Sequence, residues 1–216
     1  MRDAFHKELE ALDQEIVRMG ALVEQSTRHA TRALLECDRE LAERVKHGDD
    51  EIDELFSSIE KRSLALVAQQ APVAGDLRLI VAILRVVNDL ERAGDLAYNI
   101  AKMAQLEDFG QPALKGVRAL VADLGEAAAD LMGNAIDAWA SKDVTLAADI
   151  ALRDDKLDDL DAQLLANLVE LKGQESLGPA LRLALVGRYF ERIGDHAVNL
   201  GERIRYFVIG DEADIA

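Results

Sequence analysis

Apolar residues step along the start of the chain by three and four: Phe5, Leu9, Leu12, Ile16, Met19 and Val23. That spacing lays one continuous apolar stripe along a helix. It predicts a long amphipathic first helix to about Glu36, with Asp38 capping a short continuation to about Lys46. His47-Gly48 reads as a break, after which Asp49 or Asp50 caps a second helix that runs to about Gln70. Pro72 and Gly75 mark a turn, and Asp76 caps a third helix reaching about Leu106. Phe109-Gly110-Gln111-Pro112 is the expected joint between two halves. The scheme then repeats, with a helix over 113–140 and a short segment capped by Ser141. A helix over 154–172 follows, then a turn from Gly173 to Pro179 and a last helix over 180–209. Gly210 closes that helix and leaves the acidic tail 211–216 frayed. No run alternates apolar and polar positions long enough to make a strand. The expected fold is all-α: six main helices in two tandem, pseudo-symmetric antiparallel three-helix bundles. Residues 1–110 form the first bundle and 111–216 the second.

The halves share more than their helical pattern. Glu91-Arg92-Ala93-Gly94-Asp95-Leu96-Ala97-Tyr98-Asn99 returns as Glu191-Arg192-Ile193-Gly194-Asp195-His196-Ala197-Val198-Asn199, with nothing inserted. Asp49-Asp50-Glu51-Ile52-Asp53 likewise aligns with Asp154-Asp155-Lys156-Leu157-Asp158. The order of blocks is the same in both halves, so a tandem duplication is the simplest reading. Within each block the acids recur every fourth residue, which places them on one helical face.

Height along the bundle tests whether the blocks meet. The first turn is centred near residue 73. The Asp pair lies about 22 residues before it and the Glu/Asp pair about 20 after, nearly level at about 1.5 Å rise per residue. In the second half the distances are about 20 and 17 residues, again nearly level. Four carboxylates brought to one height repel one another unless a cation, protons or basic side chains compensate. An all-oxygen donor set suits hard cations such as Mg, Mn, Ca or ferric iron, and so many carboxylates allow a multinuclear cluster. A single acidic pair proves nothing in a chain with 41 acids, where chance alone gives roughly eight. Recurrence in register is what distinguishes these. Gly94 and Gly194 stand mid-helix beside them, at a cost of about 1 kcal/mol each relative to Ala, which implies a close approach.

Arg92 and Arg192 offer a competing account, a metal-free layer of ion pairs. Asn99 and Asn199, one turn past the Asp, read as donors behind the carboxylates or as ordinary helix-face polar residues. His196 has no counterpart at Leu96 and reads as a bystander; Trp139 reads as a packing or interface residue.

Composition narrows the function. The formal charge of −16 argues strongly against nucleic acid, disfavours anionic lipid as a direct ligand, and points to basic protein surfaces or cations. The longest apolar run, Leu79 to Leu84, is far short of a membrane span, and the first residues lack the apolar stretch of a signal peptide. The single Cys37 rules out an internal disulfide, suits a cytoplasmic location and reads as a small buried hydrophobe. Aromatic residues make up only 4% of the chain and Pro only three positions, both in keeping with an all-helical fold.

In Pro72-Val73-Ala74-Gly75-Asp76-Leu77-Arg78, Asp89-Leu90-Glu91-Arg92-Ala93-Gly94-Asp95 and Phe190-Glu191-Arg192-Ile193-Gly194-Asp195-His196, the chain resembles the PhoU family of bacterial phosphate-transport regulators. The resemblance runs from Met1 to about Asp211. It implies two three-helix bundles, a homodimer, and multinuclear metal sites of iron, zinc, manganese or magnesium. On this chain those sites fall at Asp49, Asp53, Glu91 and Asp95, and at Asp154, Asp158, Glu191 and Asp195. It implies a non-enzymatic regulator that damps uptake by the high-affinity phosphate ABC transporter, through its ATPase subunit, and holds a phosphate-sensing histidine kinase in its inhibitory mode. Contact with the membrane would come only through those partners. Ala93 and Leu96 depart from the family's Ile and His, which makes the two sites unequal. Two other readings compete. A di-metal carboxylate enzyme would call for Glu-x-x-His ligands, absent from both blocks. A purely structural helical scaffold leaves the repeated motif unexplained.

Overall fold

The computed structural model describes residues 2–70, 72–104, 114–171 and 177–210. These residues form six helices: α1 (Arg2–Glu36), α2 (Arg39–Gln70), α3 (Ala74–Ala104), α4 (Lys115–Ser141), α5 (Val144–Val169) and α6 (Leu177–Ile209). The apolar stripe of α1 is buried along its whole length, from Phe5 through Leu12, Ile16 and Met19 to Val23. Helices α1, α2 and α3 pack on one another, as do α4, α5 and α6; α1 also packs on α4 and α3 on α6. The apolar core runs without interruption through all six helices. The joint at 109–112, the boundary at 110/111 and the tail 211–216 lie outside the described residues. So do Leu106 and most of the 173–179 turn.

Several helix boundaries differ from expectation. His47-Gly48 does not break the chain and neither Asp49 nor Asp50 caps a helix, because α2 runs through all four. Leu41, Val45, Ile52, Leu55 and Ile59 are all buried, and they keep helical spacing on both sides of Gly48. Each such side chain contributes about 1.5–3 kcal/mol on burial, against about 1 kcal/mol for a mid-helix Gly. Nor does Ser141 cap a separate segment: it ends α4, its Oγ donating to the Asp137 carbonyl at 2.7 Å. The cap of α5 is Asp143, whose carboxylate accepts from the Thr145 and Leu146 amides at 2.8 and 3.2 Å. The first half uses the same device. Cys37 and Lys142 both take left-handed backbone (φ 55° and 56°). The next residue bonds back five positions, Asp38 to Ala33 and Asp143 to Ala138. Asp38 then caps α2 by accepting from the Leu41 amide at 2.9 Å. Asp76 does not cap the third helix but lies in the first turn of α3, which starts at Ala74, and Pro179 lies in the first turn of α6, which starts at Leu177 rather than 180. Gly210 (φ 80°) closes α6, as expected.

The two halves meet along antiparallel seams. On the α1–α4 seam, Arg28 reaches Glu126 at 3.0 Å and Asp130 at 2.7 Å, while also holding Glu24 of its own helix. Further along, the Trp139 indole donates to Asp13 at 2.8 Å, and Lys142 pairs with the same carboxylate. Trp139 is fully buried against Phe207, a packing residue as expected. On the α3–α6 seam, Asn199 donates to Asp89 at 3.1 Å, while Arg85, four residues back on α3, shares a cleft with Arg203, four residues on along α6. This register sets Gly94 level with Gly194.

Candidate metal-binding carboxylate clusters

The repeated phrase folds the same way twice. Residues 91–100 and 191–200 have the same succession of buried, half-buried and exposed positions. Helix α3 presents Glu91 and Asp95 toward Asp49 and Asp53 of α2; helix α6 presents Glu191 and Asp195 toward Asp154 and Asp158 of α5. In each cluster the Glu and the first Asp are half-buried, and the two remaining Asp are exposed at the rim.

Glycine permits the approach. A Cβ at Gly194 would lie 2.5 Å from Asp154 Oδ1 and 2.4 Å from a Leu157 methyl. At Gly94 it would lie 3.4 Å from Asp49 Oδ1 and 3.2 Å from an Ile52 methyl. The carboxylate of the first Asp therefore lies against bare helix backbone in both halves, more tightly in the second.

The electrostatics show that the four acids share one environment. Burial pushes Asp49 up to about 6, reinforced by the charges of Asp53, Asp95, Glu91 and Asp50. Asp154 is likewise pushed up to about 6, by burial and then by Asp158, Asp195, Glu191 and Asp155. Glu91 and Glu191 are raised by burial and by the neighbouring Asp95 and Asp195 respectively. Asp154 Oδ1 and Glu191 Oε2 are buried and accept no hydrogen bond. Among the described residues, no three His, Cys, Asp or Glu side chains stand as a ready-made cage. Both clusters are thus acids gathered within reach of one another, and in the second some buried acceptor atoms are still unmatched. A hard cation fits that donor set.

The side chains around the carboxylates differ from the simplest expectation. Arg92 is exposed, and its charge favours ionised Glu91. Arg192 is exposed and pairs with none of the described carboxylates. The arginine that does engage the second cluster is Arg188, ion-paired to Glu191. Its signal was available as a base three residues before an acid on one helix. Asp161 was also missed. It continues the stripe of Asp154 and Asp158, and its buried, unpartnered Oδ1 would lie 2.3 Å from a Cβ at Gly187. Its carboxyl is raised by burial, against the opposing charge of Arg188. The first-half counterparts of Asp161 and Gly187 are Phe56 and Val87, so this fifth acid belongs to the second cluster alone.

Asn99 is half-buried, while Asn199 donates to Asp89. His196 is buried, with Nδ1 2.9 Å from the same Asp89 oxygen. It is therefore no bystander to the fold: with Asn199 and Asp89 it forms a polar lock between the halves, and its charge also favours ionised Glu91. The counterparts Leu96 and Tyr189 make no such lock.

A duplicated all-helical bundle with paired carboxylate clusters on hairpin helices defines the class, and comparison with known proteins agrees. The PhoU domain model matches residues 16–104 and 121–204. The chain is 36% identical over 210 residues to the phosphate-specific transport system accessory protein PhoU homolog 1 of Mycobacterium tuberculosis, covering 97% of this chain and 95% of that protein. It is 35% identical to the PhoU homolog of Pseudomonas putida, covering 96% and 82%. The crystal structure of PhoU from Pseudomonas aeruginosa superimposes with a TM-score of 0.90 at 34% identity, covering 96% of this chain and all of that one. The chain belongs to the PhoU family.

Proposed function

We propose that this chain is a non-enzymatic regulator of phosphate homeostasis, restraining high-affinity phosphate uptake and phosphate-responsive signalling through protein contacts. The observation that carries the reading is the pair of carboxylate clusters, placed alike in both halves of a PhoU-family chain. The relatives are named as accessory proteins of phosphate-specific transport systems. No helix among the described residues is long and apolar enough to cross a membrane. In this reading the regulator reaches the transporter through its cytoplasmic ATPase subunit, and reaches a phosphate-sensing histidine kinase in the same compartment. It works as a homodimer.

In this reading each cluster holds one or more cations: Asp49, Asp53, Glu91 and Asp95 in the first, Asp154, Asp158, Glu191 and Asp195 in the second. Iron, zinc, manganese and magnesium are the candidates. The bound charge supplies the compensation that the gathered carboxylates lack and ties the α2–α3 and α5–α6 hairpins together. At the second cluster a metal-free ion-pair layer has an observation in its favour, because Arg188 already engages Glu191.

The test is phosphate accumulation in a deletion strain complemented with wild type or with a folded variant lacking all eight carboxylates. Overaccumulation on deletion, corrected only by wild type, supports the regulator and its clusters together. Unchanged phosphate handling on deletion refutes the regulatory role.

A further inference from the structure

We infer that the groove between the end of α5 and the start of α6 is a docking site for an amphipathic helix of a partner protein, apolar on one face and basic on its flanks. The groove has a volume of about 300 Å³, and its described lining is Leu, Val and Ala alone. Leu165 and Val169, one turn apart, form the α5 wall; Leu177 and Leu181, also one turn apart, form the α6 wall. Val169 is 85% exposed, Leu177 63% and Leu181 60%. Leu185, also exposed, continues the α6 row by a further turn. From Leu177 to Leu185 that row rises about 12 Å, or about two turns. Contiguous exposed apolar side chains of this kind mark an interaction surface. A groove between two helices takes the apolar ridge of a third.

The repeat shows that the groove is not inherited from the duplicated frame. Ala180 and Ala184 line it where the first half has Ile80 and Leu84, so two small residues open the space. Leu165 and Leu185 stand where the first half has Glu60 and Arg85. Positions that carry charge in one hairpin are thus apolar and exposed in the other. Charge selects the occupant. Helix α5 carries six acids against two bases, and exposed Asp159 and Glu170 bracket its apolar wall. The nearby bases of α6 are engaged within the chain: Arg188 pairs with Glu191, and half-buried Arg182 has an interaction of its own. A second copy of a chain with net charge −16 would bring like charge to the groove, whereas basic flanks meet opposite charge. The inference gives a surface to the protein contacts of the regulatory reading. Its test measures binding alone, so it and the phosphate-accumulation test can fail separately.

The test is fluorescence anisotropy of a labelled helical peptide of about 18 residues, with Leu spaced by three and four and Lys on the flanks. Saturable binding of one peptide per chain is expected, with a Kd of about 10–100 μM at about 0.15 M salt. A scrambled peptide of the same composition should bind about tenfold more weakly or worse. Ala184→Leu fills the groove and Leu185→Arg charges its wall, each with the residue found at the other repeat, and each should weaken binding by about tenfold or more. Leu152→Gln, at an exposed position elsewhere on α5, should leave binding unchanged. Circular dichroism establishes that each variant is folded, and Leu181→Gln replaces Ala184→Leu if that variant is not. Absence of saturable binding overturns the site, as does binding that survives both groove substitutions or is matched by the scrambled peptide. Equal binding of a peptide with the same Leu row and Glu flanks overturns the basic partner. Sedimentation that finds a wild-type dimer separated by Leu185→Arg overturns the proposal in favour of a second copy. Capture on phosphatidylcholine vesicles that Ala184→Leu abolishes overturns it in favour of lipid.

Discussion

Neutralising Asp154 without changing its shape should stabilise the metal-free protein. Its carboxyl ionises near 6 in the folded chain, against 3.8 for an unperturbed Asp. The folded state therefore holds the proton more tightly than the unfolded one. A carboxyl raised in this way destabilises above its folded value, and the penalty is relieved as pH falls from about 6 toward 3.8. The two values correspond to about 3 kcal/mol at pH 8 before screening. Because the side chain is only half-buried, solvent reduces this to about 1 kcal/mol. Asp154→Asn imposes the neutral state at every pH, so in chelator at pH 8 it should raise Tm by about 2–4 °C. Near pH 4 wild type should recover most of that difference by protonation. Added manganese or magnesium should reverse the order, stabilising wild type more than the variant, because metal bound only by the native state adds to stability. Thermal unfolding followed by circular dichroism at the two pH values, with and without metal, reads all of this. A variant less stable than wild type in chelator at pH 8 would show that the carboxylates are already compensated, and the argument for a missing cation would fail.

Other consequences are simpler to read. Gly194→Ala forces Asp154 and Leu157 aside and should cost about 1–2 kcal/mol after the gain in helix propensity; Gly94→Ala, with its wider clearance, should come within about 0.5 kcal/mol of wild type in urea unfolding. Asp89→Ala strands His196 and Asn199 between the halves and should cost about 1–3 kcal/mol in the same assay. Asp143→Ala should cost about 1 kcal/mol as loss of a helix cap, while Ser141→Ala should change stability little; the reverse order would put the cap where sequence reading placed it.

The architecture was legible because it is written twice. Helical spacing, the Asp38 cap, the Gly210 stop and the meeting of acidic blocks across each hairpin all follow from local pattern and helix length. Local pattern failed at His47-Gly48, where a weak helix former is outvoted by the buried residues on either side. It failed again at Ser141, because Asp143 offers a carboxylate acceptor where the chain emerges from the left-handed Lys142. The Asp89–His196–Asn199 lock was beyond reach for a different reason. It joins residues more than 100 positions apart, and only the register of two packed helices brings them together. Asp161 escaped because recurrence of acids was the signal, and its first-half counterpart is Phe56.

The lock between Asp89 and His196 has a geometric consequence. Two identical half-length chains joined along the same antiparallel seam would form every contact twice, once on each side of the dyad. Covalent fusion removes that obligation, and here Asp89 with His196 lies on one side of the dyad while Tyr189 and Leu96 occupy the mirror positions. The seam thus has a head and a tail. The pseudo-twofold relation of the doubled frame therefore stops short of the side chains that lock it, and the seam can be told apart end from end.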